Sequence, residues 1–150
     1  MARMIDVRPS YKGEGKVWDS IQANLPDEII VYNNREVRGR EFDFCLVVEG
    51  SGFLVVEVKG WLYDKIKVEN VDQIVVEGYE KTQQSPKKQA RVYRWHILET
   101  IRKKFDANPL VIDMVCYPFI TQAQYMIAGL DIVSDPYLTI FKEDLENASL

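Results

Sequence analysis

Asp43 is followed fourteen positions later by Glu57-Val58-Lys59, and both parts lie inside apolar runs. The runs are Glu41-Phe42-Asp43-Phe44-Cys45-Leu46-Val47-Val48 and Phe53-Leu54-Val55-Val56-Glu57-Val58-Lys59. Successive side chains of a strand point to opposite faces, so Glu57 and Lys59 share one face and Val58 takes the other. A charge buried among Val and Leu is costly unless it is paired or holds a metal. Two carboxylates and an ammonium on neighbouring strands therefore point to a site. The carboxylates are oxygen ligands for a hard divalent cation, and the Lys handles a water or a phosphate. The competing reading is an ordinary cross-strand ion pair between Lys59 and one of the acids, since acid-x-Lys alone is common in exposed strands.

Positioning these groups requires the two runs to be neighbours. Glu49-Gly50-Ser51-Gly52 between them suits a hairpin, which predicts antiparallel strands with Asp43 and Glu57 on one face. Upstream, Glu14 to Ala23 reads as a short amphipathic helix with Val17, Trp18 and Ile21 inward, ended by Pro26. Glu28 to Tyr32 reads as a strand closed by Asn33-Asn34. Downstream, Lys65–Val68 and Gln73–Val76 form a second hairpin, and Gly78 to Ser85 is a polar loop. Pro86 fits a first helical position with Ser85 as N-cap, opening a helix to about Phe105. That helix is predicted to bury Tyr93, Ile97, Ile101 and Phe105 and to expose Lys88, Arg91, Arg102 and Lys103. Asn108-Pro109 breaks it, Leu110 to Tyr117 is an apolar strand, and Leu138 to Phe141 is a short last one. The stretch from Phe119 to Pro136 carries no clear periodicity. The order of elements predicts an α/β sandwich built on a mixed sheet.

Composition bounds the function. The 150 residues suit one domain with a real core, and 47% apolar and 11% aromatic content argue against disorder. No apolar run approaches a membrane span, and the opening lacks the apolar stretch of a signal peptide, so a cytoplasmic protein is expected. Cys45 and Cys116 lie in hydrophobic runs and read as reduced core residues. The net charge of −4 is unevenly placed: from Lys81 to Lys104 there are eight basic residues and one acid, Glu99. A basic stripe on an acidic body suits one face meeting phosphates and another collecting cations, although a solvated helix face reads the same way.

Other motifs weigh less. Gly13-Glu14-Gly15-Lys16 fails as a phosphate loop, because Ser10 stands where the first Gly belongs and Val17 where a Ser or Thr should bind magnesium. His96, the only histidine, lies at the edge of the long helix's apolar arc and reads as a partly buried surface residue. No Gly-x-Ser-x-Gly or Cys/His pair supports covalent catalysis. Trp61 and Tyr63 are candidates for stacking on a base or for edge packing.

Taken together, Gly13-Glu14 on a first helix, Glu41-Phe42-Asp43-Phe44, Glu57-Val58-Lys59-Gly60, and Pro86 with Gln89 opening a basic helix resemble the nuclease-related domain. That domain is a branch of the PD-(D/E)xK nuclease superfamily. The resemblance covers about Gly13 to Tyr117 and implies a restriction-endonuclease-like α/β core, a mixed β-sheet flanked by helices. It divides the chain into a core of about 13–117 and a C-terminal extension of 118–150 within one domain. The opening Met1-Ala2-Arg3-Met4-Ile5 also resembles proteins that carry this domain ahead of a superfamily 1 DNA helicase, so a helicase partner and a larger protein are expected.

The resemblance also implies roles. Asp43 and Glu57 become the principal metal ligands, the Val58 carbonyl a third, and Glu14 the first-helix acid completing the shell of Mg²⁺ or Mn²⁺. Lys59 orients or deprotonates the attacking water, and Gln89 positions substrate or Lys59. Lys87, Lys88, Arg91 and Arg94 hold the DNA backbone without reading sequence. The implied reaction is hydrolysis of DNA to a 5′-phosphate and a 3′-hydroxyl. Phe42 replaces the usual proline of the motif. The rival readings are a non-cleaving DNA-binding module of a helicase-type protein, and an assembly domain whose contact surface is the Tyr/Phe/Met-rich segment 117–141.

Overall fold

A computed structural model describes residues 1–146, and residues 147–150 of the expected extension lie outside them. The chain runs β1 (Arg3–Met4), α1 (Lys12–Asn24), β2 (Ile29–Val37), β3 (Arg40–Val48) and β4 (Gly52–Val58). It continues through β5 (Ile66–Asn70), β6 (Gln73–Val76), β7 (Gln83–Gln84), α2 (Pro86–Phe105) and β8 (Val111–Cys116). The end comprises α3 (Gln122–Ile127), β9 (Thr139–Ile140) and α4 (Lys142–Glu146).

The main sheet has the order β1-β2-β3-β4-β8-β9. Its middle is antiparallel, β2 to β3 to β4, while β8 joins β4 in parallel and β9 joins β8 in parallel. A second, three-stranded sheet holds β5-β6-β7. The architecture is the expected mixed sheet flanked by helices.

Local sequence fixes the register. Arg38 and Gly39 both take positive φ (52° and 78°), as a two-residue hairpin between Val37 and Arg40 requires. Gly52 opens β4 at φ 141°, and a Cβ there would drive into the Leu110 carbonyl oxygen. That same carbonyl accepts the Phe53 N–H at 2.9 Å, so Gly52 is what lets β4 approach the chain entering β8.

Alternation sorts the sheet's two faces. Phe44, Leu46, Val56 and Val58 pack with Val17 and Ile21 of α1. Cys45 and Val55 face the other way and pack with Ile97 and Leu98 of α2. Burial pushes the Cys45 thiol up to about 12 and raises that of Cys116, so both are inert core groups, as expected.

Several expectations are corrected. β2 does not stop at Asn33-Asn34 but runs to Val37, because Asn33 is buried with its amide donating to the Val7 carbonyl at 3.0 Å. β1, which pairs with β2, had no sequence signal. The 78–85 loop contains β7, which pairs with β6. Phe105 is 73% exposed rather than buried, since the helix ends there at the left-handed Asp106. Tyr125 is fully buried, with its hydroxyl against Ser134, whereas Met126 and Tyr137 of the same segment are exposed. The extension also supplies a second core: Ile120, Tyr125, Leu130, Val133 and Phe141 close over Trp61 and Tyr117.

Candidate active site

The antiparallel register of β3 and β4 includes Phe44 opposite Val56, and its next step sets Asp43 opposite Glu57. By alternation both carboxylates share the α2 face with Cys45 and Val55. Asp43 Oδ2 accepts the Val58 N–H at 2.7 Å, tying it across to the end of β4. Glu57 is 6% exposed, and its Oε1 lies 3.2 Å from the Lys59 ammonium. The Lys59 backbone N–H donates to Cys116 at 2.9 Å, which holds this end of β4 against β8. The Lys59 ammonium also stands 5.6 Å from the Trp61 ring centre, a cation–π contact. The site lies at the C-terminal ends of two parallel strands, β4 and β8, where open α/β sheets commonly bind ligands.

The electrostatics set the pair apart. Burial pushes the Asp43 carboxyl up to about 8, with the Glu57 and Glu14 charges adding and the Val58 N–H and Lys59 opposing. Glu57 is also raised, mainly by burial and slightly by Glu14, against the pull of Lys59. Lys59, 3.2 Å from Glu57, favours the charged form of Glu57.

Glu14 reaches the same region from the opposite face. A Cβ on Gly13 would stand 3.2 Å from Gly60 Cα and 3.3 Å from Pro118 Cγ, so the start of α1 packs directly on the end of β4. Asn34, held at φ 55° opposite Asp43, interrupts the β2–β3 pairing and turns its amide to Glu14 Oε1 at 2.9 Å. Glu14, Val58 and Lys59 all line one cleft of about 560 Å³ between α1 and the chain leaving β4.

Gln89 sits half-buried in the first turn of α2, and it is not among the cleft's lining residues. Tyr93 lies one turn further on the same face. Its hydroxyl is pushed up chiefly by burial, then by the Glu57 and Asp43 charges, which places it within their field. Sequence reasoning treated Tyr93 as core only; its i+4 spacing from Gln89 was the available signal.

The basic residues divide. Arg94 Nε donates to the Val111 carbonyl at 2.6 Å and lies 3.8 Å from Asp113, so this guanidinium ties α2 to β8. Lys87, Lys88 and Arg91 line a separate shallow depression beside Asp72 and Asp131, away from the cleft. Trp61 is 5% exposed in the core, whereas Tyr63 is 37% exposed. His96 is half-buried.

Among the described residues, no three His, Cys, Asp or Glu side chains stand close enough to hold a metal ion as placed. The donor set nevertheless fits a hard cation. Two facing carboxyls raised chiefly by burial would both be favoured in their charged form by a divalent cation, and Mg²⁺ keeps several of its own waters.

A family model described as "Nuclease-related domain" matches residues 9–118. No curated protein matches significantly. Among solved structures, a repair endonuclease from Pyrococcus abyssi aligns over 90% of this chain at 13% identity with a TM-score of 0.42. The chain spans about half of that endonuclease, 48% of its length.

Proposed function

The chain belongs to the nuclease-related domain family, and on that premise we propose that it hydrolyses DNA phosphodiester bonds with Mg²⁺ or Mn²⁺. The observation that carries this reading is the mostly buried Asp43–Glu57 pair with Lys59 3.2 Å from Glu57 at the end of β4. A structural ion pair would use one acid for one Lys. Here a second carboxyl faces the first and is raised chiefly by burial, a perturbation typical of functional sites.

Asp43, Glu57 and the Val58 carbonyl would hold the cation, with Glu14 completing its shell. A bound cation would lower the pKa of a coordinated water and offset charge on the scissile phosphate. The chain's own groups do the rest. Glu57 and the Trp61 ring hold the Lys59 ammonium in place, where it can donate to the attacking water and to a phosphate oxygen. The Val58 N–H fixes the Asp43 carboxyl. Tyr93 lies within the field of both carboxyls on the α2 side, and Gln89, one turn before it, would position substrate or Lys59. Attack by water on phosphorus forms one P–O bond and breaks the bond to O3′. The products are a 5′-phosphate and a 3′-hydroxyl, with the water's proton replaced on the departing oxygen. Lys87, Lys88 and Arg91 supply backbone contacts beyond the cleft, and a helicase domain is the expected partner.

A second reading, DNA binding without cleavage, is favoured by one observation: among the described residues no three metal-ligating side chains converge. The two separate on incubation of the chain with linear and single-stranded DNA in Mg²⁺, Mn²⁺ or EDTA, beside Lys59→Ala. Cleavage that needs the cation and falls by about 100-fold or more in Lys59→Ala supports hydrolysis, the size expected of one electrostatic donor. Binding without cleavage in either cation supports the second reading.

A further inference from the structure

We infer that the cleft beside Lys59 receives an unpaired DNA strand, whose bases stack on Tyr11 and Tyr79. This rests on the nucleic-acid reading above and adds the state of the substrate. The cleft's volume of about 560 Å³ is in the range of small-ligand sites. It suits one or two nucleotides and is far too small for a duplex.

Its chemistry is that of a single-strand channel. Tyr11, before α1, is 75% exposed, and Tyr79, after β6, is 53% exposed, although both line the cleft. Among the described residues the aromatic pairs run through Trp61, Tyr117, Tyr125 and Phe141, and neither tyrosine is part of them. Two exposed tyrosines on different segments therefore border the groove that Lys59 also lines. Single exposed tyrosines are ordinary. Two around one groove that also contains a cation are the combination that binds unpaired strands, because rings accept bases while ammonium groups meet phosphates. Lys12 supplies that second cation, exposed and 6.0 Å from the Phe119 ring centre in the cleft wall. The floor is backbone, where Gly13 and Gly60 meet.

The test is fluorescence anisotropy with a labelled oligothymidine of about ten nucleotides, a typical site size, and with the matching blunt duplex. Ca²⁺ serves as the hard cation held by oxygen ligands. The expected result is that the single strand binds at least about tenfold more tightly than the duplex. Tyr11→Ala and Tyr79→Ala should each weaken it by about tenfold, with Phe at either position retaining affinity. Both rings are exposed, so unchanged circular dichroism should accompany the loss. Equal affinity for duplex, or alanine variants that bind as the wild type does, would overturn the inference. Preference for oligouridine over oligothymidine would overturn the assignment to DNA. Cleavage is read separately in Mg²⁺ and Mn²⁺. Single strand bound but never cut contradicts hydrolysis and leaves the channel standing. Duplex cut without single-strand preference contradicts the channel and leaves hydrolysis standing.

Discussion

At Asp43 a carboxyl faces a second carboxyl, Glu57, in a mostly buried setting, and this has a consequence for stability. The Asp43 carboxyl ionises near 3.8 in an unfolded chain and at about 8 when folded. Between those values the folded state binds more protons than the unfolded one. The metal-free protein should therefore lose stability as pH rises through that window. Thermal melts in EDTA across the range check this, and Asp43→Asn should flatten the dependence and raise Tm at the alkaline end. A gain of 1 kcal/mol would appear as roughly 2–4 °C in a chain this long. A melt independent of pH, or an Asn variant less stable at the alkaline end, would contradict the pairing. Asp43, Glu57 and Lys59 were legible from sequence because charge in an apolar strand run is rare and alternation fixes its face. Asn34 was not. Its role depends on a left-handed backbone and on α1 lying across β2, and neither leaves a periodic trace.

Two glycines carry the elements that bring these groups together. Gly52→Ala would place a methyl group against the Leu110 carbonyl at a φ that L residues rarely adopt. The expected loss is about 2–4 kcal/mol, combining strain and overpacking. Gly13→Val would force α1 from the end of β4, at a cost of about 1–3 kcal/mol. It should also weaken cation binding, because Glu14 moves with the helix. Chemical denaturation measures both. The long elements α1, β3, β4, α2 and β8 were legible to within a few residues because each couples a strong apolar pattern to a cap or breaker. β1 and β7, each two residues long, were not, since tertiary pairing makes them, whereas β9 falls inside the strand expected over Leu138 to Phe141. Phe105 misled for a related reason: helical periodicity continues to the last turn, but the surface it would bury against ends earlier.

On the scale of the whole molecule, the resemblance stops near Tyr117 and the family match at residue 118, yet the core does not. Residues 119–141 supply Ile120, Tyr125, Leu130, Val133 and Phe141 to one cluster and β9 to the main sheet. Each large core side chain removed typically costs about 2–5 kcal/mol, against a total stability of about 5–15 kcal/mol. A chain cut after Pro118 should therefore show no cooperative melt by circular dichroism. That segment defied assignment because its helical turns are short and its burial comes from several directions. Charge is also arranged at this scale. Charge reversal at Lys87 and Arg91 should weaken DNA binding and flatten its dependence on salt. Arg94→Ala should lower Tm instead, because Arg94 holds Val111 and Asp113.

Hydrolysis as proposed requires Asp43 and Glu57 to hold a divalent cation together. The most direct test is calorimetric titration of Mn²⁺ into the wild type, Asp43→Asn and Glu57→Gln near neutral pH. The expected result is saturable binding by the wild type that either substitution weakens at least about tenfold, about 1.4 kcal/mol of affinity. No binding by the wild type, or equal binding by all three, would contradict it.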